Sequence, residues 1–460
     1  MRALRVDFSK PVRPVGKLNG MNNGPLHTFM DATAEFREMG VDFVRFHETH
    51  SPNIKCVEIP YIFRDMDADV NDPASYYFGE TDAVMKAAHD EGIEIMYRLG
   101  MGTEGTKPWL FMFVPPDYEK WARIAEHIVM HYNEGWADGF HYGIKYWELG
   151  NECDLWQYFP GPRDEYTNLY CIMARILKDH DPSLKIGTCG FAWVFSRKPP
   201  ARKLETEKGG YDSERGFTSA YEEWEDRVRF FNSFLARVRD EKVPMDFFGW
   251  HFYVCDSYQT EERIGVIDDL LKKYGFYGNV EVINTEWNNM HLARDPGGHW
   301  DFSQMVTMKC AVGCINSMIV MQKHGVTKAA YYDACPRGNF CGLYDYQHRL
   351  LRHAYSMKAV RMLREGETEV WSDGGTSVLR ICASWNGKTG AVLLGNEGLP
   401  EDVRLDISNL PDADYEVYLF DETHNLVPVE TGVYTGDALR LLVGRDSAAV
   451  IRFTRKEASV

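Results

Sequence analysis

Residues 121–152 read WARIAEHIVMHYNEGWADGFHYGIKYWELGNE, and they hold one full unit of the pattern that decides the fold. Trp121, Ile124, Ala125, Ile128 and Tyr132 recur at a period of 3.6, which predicts an amphipathic helix. Gly135 follows Glu134 where a left-handed residue would stop that helix. A β-rich run, Ile144 to Leu149, comes next and ends on Gly150-Asn151-Glu152.

The same unit repeats to either side. Eight β-rich segments can be read between Pro14 and Tyr344: Gly16 to Met21, Asp42 to His47, Glu94 to Leu99, Ile144 to Leu149, Lys185 to Thr188, Phe247 to Phe252, Val280 to Thr285 and Ala329 to Asp333. Amphipathic helical spacing intervenes, as in Phe29, Ala32, Phe36 and Met39, and Gly40 and Gly92 supply further helix stops. Strand and helix in alternation predict an α/β fold with a parallel sheet, and eight units predict a closed (β/α)8 TIM barrel. An open doubly wound sheet is the alternative, but no glycine-rich fingerprint follows the first strand.

With 460 residues, the chain exceeds an ordinary barrel by about 100 to 200 residues, which predicts a second domain. After Arg364 the character changes. Thr368 to Val370, Ser377 to Ala383, Gly390 to Gly395, Glu416 to Phe420 and Ala448 to Thr454 read as strands, separated by turns such as Asn386-Gly387. Ala3 to Phe8 alternates as well and is expected to pair with this C-terminal β-sandwich. The expected division is 13–350 for the catalytic barrel and 1–12 plus 351–460 for the sandwich domain.

A formal charge of −17 argues against a nucleic-acid partner, which requires a basic footprint. No apolar run is long enough to span a bilayer and no signal-like stretch opens the chain, so no membrane partner and a cytoplasmic location are expected. The ten cysteines include no CxxC pair. Cys310 with Cys314, and Cys335 with Cys341, lack the partners of a zinc site, so reduced thiols, no metal and no cofactor are expected.

Reactive groups of such barrels gather at the C-terminal ends of the strands. That rule selects Arg45, His47, Asn151, Glu152, His251, Tyr253, Glu286, Trp287, Tyr332 and Asp333. The dipeptide Asn-Glu occurs three times, but Glu134 lies at a helix end and Glu397 in a turn of the sandwich, where each reads as a solvated charge. Glu152 instead closes the fourth strand, and Glu286 closes the seventh. Two carboxylates meeting across a barrel mouth are the equipment for cleaving a glycosidic bond: one protonates the leaving oxygen and the other attacks the anomeric carbon. At a separation of about 5 to 5.5 Å the retaining route follows, with Glu286 as nucleophile and Glu152 as acid/base. Ion-paired structural glutamates of a barrel rim are the alternative.

Arg45 is placed to keep Glu286 ionised, and Glu148, of the same strand parity as Glu152, to be its buried partner. His251 and Tyr253 share a face and can donate to the nucleophile or to a sugar, against the alternative of a satisfied core histidine. Asn151 can bond a sugar 2-hydroxyl. Trp287 is the candidate floor of the subsite, while Trp156 and Trp193 line the pocket or pack within loops. Arg337 is a candidate for pairing with a uronate carboxylate or a solvent-facing arginine.

Val44-Arg45-Phe46-His47, Ile62-Phe63-Arg64-Asp65-Met66, Asn151-Glu152, Trp250-His251-Phe252-Tyr253, Thr285-Glu286-Trp287-Asn288 and Gly342-Leu343-Tyr344 before His353-Ala354-Tyr355 resemble glycoside hydrolase family 39, the β-xylosidase and α-L-iduronidase family. The resemblance runs in order across most of the barrel. It implies a retaining exo-glycosidase on plant or host oligosaccharides, with Glu152 as acid/base, Glu286 as nucleophile, and Arg45, His47, Asn151, His251 and Tyr253 around the sugar. There are departures: Gly150 and Cys153 flank Asn151-Glu152 where the family has Trp-Asn-Glu-Pro, and the eighth strand reads Tyr331-Tyr332-Asp333-Ala334-Cys335 without the usual tryptophan. The Gly-Asn-Glu form with Asp154 and Trp156 also resembles the α-L-arabinofuranosidases of the same clan. A transglycosidase, a non-catalytic carbohydrate-binding protein and a homo-oligomer are all compatible with these residues.

Overall fold

The computed structural model describes residues 1–27, 30–47, 50–51, 54–101, 113–192, 194–200, 216–253, 257–289, 302–336 and 342–456. Eight parallel strands close into a barrel: Lys17–Asn22, Phe43–Phe46, Glu94–Leu99, Tyr146–Leu149, Lys185–Gly187, Phe247–Tyr253, Glu281–Asn288 and Lys328–Tyr331. The last of these pairs with the first, so the sheet has no edge.

Side-chain alternation divides the barrel strands into two layers. Phe43, Met96, Tyr146, Phe247, Ile283 and Ala330 turn inward and fill the lower lumen. Phe46, Tyr97, Leu99, Trp147, Leu149 and Trp250 turn outward and pack in the core shared with the helices. The helix read from Trp121 to Tyr132 spans Tyr118–Asn133, with the Asp117 carboxylate accepting from Lys120 N as N-cap. Gly40, Gly92 and Gly135 have φ of 68°, 68° and 79°, the left-handed conformation expected of helix stops. No helix among the described residues is long and apolar enough to cross a membrane.

The C-terminal strands form one nine-stranded sheet that curls over a second core, built from residues such as Val6, Ile381, Leu394, Leu405, Val443 and Phe453. The first strand of the chain, Arg2–Pro14, lies inside this sheet, antiparallel to Thr368–Asp373 and parallel to Glu401–Ser408. Three strands go beyond those read from the sequence: Glu401–Ser408, Asn425–Tyr434 and Leu439–Val443. The helices Met308–Lys323 and Arg352–Arg364 lie between barrel and sheet. Gln322 links the two, accepting from Gly16 N (2.8 Å) and donating to Glu369 (2.9 Å).

Glu397 departs from the expectation of a solvated charge. It is half-buried and accepts from Asn316 Nδ2 (2.7 Å) and Ser257 Oγ (3.2 Å), tying the sandwich to two barrel helices. None of the eight cysteines among the described residues forms a disulfide, and seven are buried. Cys341, like Trp193, Arg337 and Phe29, lies outside the described residues.

Candidate active site

Arg45 is the centre of the barrel mouth, fully buried and bonded to four acceptors. Its Nε donates to Glu148 (2.6 Å), Nη1 to Asn22 Oδ1 (2.9 Å) and Glu286 Oε2 (3.1 Å), and Nη2 to Asn151 Oδ1 (2.7 Å). Burial alone would lower its pKa, but Glu148 and Glu286 outweigh that and hold it above the ordinary arginine value. Asn22 in turn donates to the carbonyls of Thr285 (3.0 Å) and Ala330 (2.9 Å), so strands one, two, four, seven and eight meet at this point.

Glu286 reaches the lumen through an irregularity. Ile283 faces inward, so plain alternation would turn Thr285 and Trp287 inward and Glu286 out. The register with the sixth strand instead slips by one residue: Asn284 stands opposite Trp250, and Glu286 opposite His251. This β-bulge puts Glu286 on the inner face. Asn284, with its amide nitrogen turned towards them, donates to the carbonyls of Glu286 (3.0 Å) and Trp250 (2.9 Å) and spans the bulge.

The bulge also turns Trp287, expected to floor the subsite, away from the barrel mouth. It is fully buried in the layer between strands and helices, edge-on to Tyr331 at 5.3 Å between ring centroids. Each oxygen of Glu286 has a donor of its own, Arg45 on Oε2 and the Tyr253 hydroxyl on Oε1. His47 Nε2 lies 3.7 Å from Oε2.

Glu152 stands on the loop after the fourth strand at φ +45°, a conformation that non-glycine residues adopt only when held. Its N–H donates to Cys189 O (2.8 Å), and its carbonyl accepts from Leu155 N (2.8 Å). Its Oε1 meets His251 Nδ1 at 2.7 Å, and the same nitrogen is 3.8 Å from Glu286 Oε2. Burial pushes the His251 pKa down to about 4, against the opposing pull of Glu286, so the ring is neutral at pH 7. One ligand atom from each of Glu152, His251 and Glu286 lies within 4.8 Å of the other two. These three could also hold a metal ion, although Arg45 already places a cation on Glu286.

Asn151 is buried, and its Nδ2 has no partner among the described residues. Tyr332 is 6.4 Å from the His47 ring and 6.3 Å from the Tyr253 ring, which places it at the same opening. Asp333 follows across a cis peptide bond, buried, with its Oδ1 accepting from Cys335 N (3.2 Å). Trp156 is half-buried farther along the Glu152 loop. Asn22 and Asn284 were missed in the sequence. Asn22 ends the first strand and was open to the strand-end rule, whereas the role of Asn284 depends on the bulge.

No family model matches the sequence, and no curated protein sequence does. Solved structures match over nearly the whole chain. A glucosidase from Croceicoccus marinus is 19% identical with a TM-score of 0.74, covering 99% of this chain and 100% of its own. A GH39 β-xylosidase from Caulobacter crescentus is 16% identical with a TM-score of 0.68, covering 99% and 100%. A GH51 α-L-arabinofuranosidase from Thermotoga petrophila is 16% identical with a TM-score of 0.67, covering 98% and 100%. The chain therefore has the TIM-barrel-and-sandwich fold shared by these glycosidases, a GH39-like fold from end to end.

Proposed function

We propose that the protein is a retaining exo-glycosidase that works by double displacement, with Glu286 as nucleophile and Glu152 as acid/base. The observation that carries this reading is the approach of the two carboxylates. One oxygen of each lies within 4.8 Å of the other, close to the roughly 5 to 5.5 Å of retaining enzymes and short of the roughly 6.5 to 9.5 Å that leaves room for a water.

The different surroundings of the two support different roles. Arg45 and Tyr253 both donate to Glu286, and both serve a carboxylate, the form required for attack. Glu152 faces a neutral imidazole. With the ring proton on Nδ1, His251 donates to Oε1 of a protonated Glu152, whose own proton goes to the leaving oxygen. Attack by Glu286 then forms a glycosyl ester, Glu152 becomes a carboxylate, and it deprotonates the incoming water. The unused Nδ2 of Asn151 is a donor for the sugar 2-hydroxyl.

The substrate is a short oligosaccharide or glycoside. Since the structural neighbours are named as a β-xylosidase, an arabinofuranosidase and a glucosidase, pentosides and glucosides lead the panel. The test is turnover of aryl xylosides, arabinofuranosides, glucosides and galactosides, with the anomer released first identified by proton NMR. Retention of configuration is expected. An inverted product, or internal cleavage of a polymer with every aryl glycoside untouched, would overturn the reading. Sugar binding without turnover would turn it into a binding protein, and glycosyl transfer to an added alcohol in preference to water would mark a transglycosidase.

A further inference from the structure

We infer that Asp154, backed by Arg227, is a positioning residue for the acid/base Glu152; the inference rests on the glycosidase reading above. Asp154 is fully buried two residues after Glu152 and is bonded to three residues among those described. Oδ1 accepts from Ala192 N (3.0 Å), Oδ2 from Arg227 Nη1 (2.7 Å), and its backbone carbonyl from Arg163 Nε (2.9 Å). Arg227 also binds Glu223 through Nε (3.0 Å) and Nη2 (2.7 Å), and Arg163 binds Glu223 (3.1 Å) and Asp226. Asp154, Arg163, Glu223 and Arg227 are each less than a tenth exposed. Glu223, Asp226 and Arg227 come from the helix Ala220–Asp240 and Arg163 from the helix Arg163–His180, so two helices brace the loop that carries Glu152.

What the network holds is the relation between two loops. Glu152 N donates to Cys189 O, and Ala192 N donates back to Asp154, so the loops after strands four and five are pinned at both ends of Glu152-Cys153-Asp154. The second loop carries Phe191, whose carbonyl accepts from His251 N (2.9 Å). His251 Nδ1 in turn meets Glu152 Oε1. The backbone of Glu152 and the partner of its carboxyl group are therefore fixed by one chain of bonds with Asp154 at its hub. A non-glycine residue at φ +45° requires such over-determination to stay in place.

Only His251 in this chain of bonds comes near the nucleophile, 3.8 Å from Glu286 Oε2, and the nitrogen concerned is the one that meets Glu152 at 2.7 Å, so loss of the network should appear mainly where proton donation matters. Asp154→Asn and Arg227→Met are compared with the wild type by kcat/KM on the best sugar of the panel, carried on leaving groups from 2,4-dinitrophenol to phenol. The dinitrophenyl glycoside, which needs no acid, should change by less than about threefold, and the phenyl glycoside should fall about 100-fold. The dependence of rate on leaving-group pKa should steepen accordingly. Arg227→Lys, which keeps a cation on Asp154, should fall between, and it carries the comparison if Asp154→Asn does not fold. An equal loss across the whole series, or no loss, would overturn the inference. Failure of the wild type on every aryl glycoside would instead overturn the glycosidase reading, and this inference with it.

Discussion

Arg45 shows how much one side chain at the barrel mouth decides, because its planar fork serves Glu148, Asn22, Glu286 and Asn151 together. Arg45→Met would leave two buried carboxylates facing each other without their cation. It should cost about 3 to 5 kcal/mol of stability in chemical denaturation, together with activity. Arg45→Lys should not restore turnover, since an ammonium cannot span four acceptors. Tyr253→Phe removes one donor from Glu286 and should lower kcat/KM by about 10- to 100-fold with the fold intact, the worth of one charge-assisted hydrogen bond.

Two buried histidines set a pH dependence at the same scale. Burial lowers the pKa of His251 to about 4 and that of His353 to about 3, both below the unfolded value of 6.5. In that window the unfolded chain binds the extra protons, so stability is full above about pH 6.5 and falls as the pH drops towards 4. Each histidine contributes a slope of at most about 1.4 kcal/mol per pH unit. Neither ring nitrogen of His353 has a partner among the described residues, so His353→Leu should flatten the pH dependence of the thermal midpoint between pH 6.5 and 4.5. An unchanged slope would show that this histidine is not held neutral.

At the scale of the element, the seventh strand carries the site through its bulge. Asn284→Leu removes the amide that spans it and leaves the Glu286 and Trp250 carbonyls without that donor, at about 1 to 3 kcal/mol each if they stay buried and unbonded. Loss of activity beyond loss of stability would show Glu286 moving off the inner face. Gly190, at φ +59°, is the tight point of the fifth loop: a Cβ there would lie 2.1 Å from His251 Nε2. Gly190→Ala should therefore displace the imidazole from Glu152 and cut turnover even where the protein still folds.

The elements also show what the sequence could and could not reveal. The barrel strands were legible because parallel strands are buried on both faces and read as short apolar runs. The residues of the site were legible because strand ends converge in this fold, so Arg45, Asn151, Glu152, His251, Tyr253 and Glu286 do come together. The bulge was not, since an extra residue leaves no mark on composition, and without it strict parity misplaces Trp287. The ion pair of Asp154 with Arg227 was hidden by their sequence separation of 73. Among the sandwich strands, Val403, Leu405 and Ile407 alternate plainly and could have been read, whereas Asn425–Tyr434 is exposed over most of its length and has no such pattern.

The whole molecule is joined by its own N-terminus. Arg2–Pro14 fills a position between Thr368–Asp373 and Glu401–Ser408, so removing residues 1–13 would open two strand edges and uncover Leu405 and Ile381. Such a truncation should be poorly soluble and should lose the protease resistance of the sandwich, as limited proteolysis would show. The barrel then positions the chemistry: a packed lower lumen, a layer of Arg45 and Glu148 above it, and the two carboxylates at the opening. That last pair is tested most directly by Glu286→Gly supplied with azide and an activated aryl glycoside. The expected product is a glycosyl azide of inverted configuration, formed at a rate that depends on azide concentration. A retained glycosyl azide, or turnover that ignores azide, would contradict Glu286 as the nucleophile.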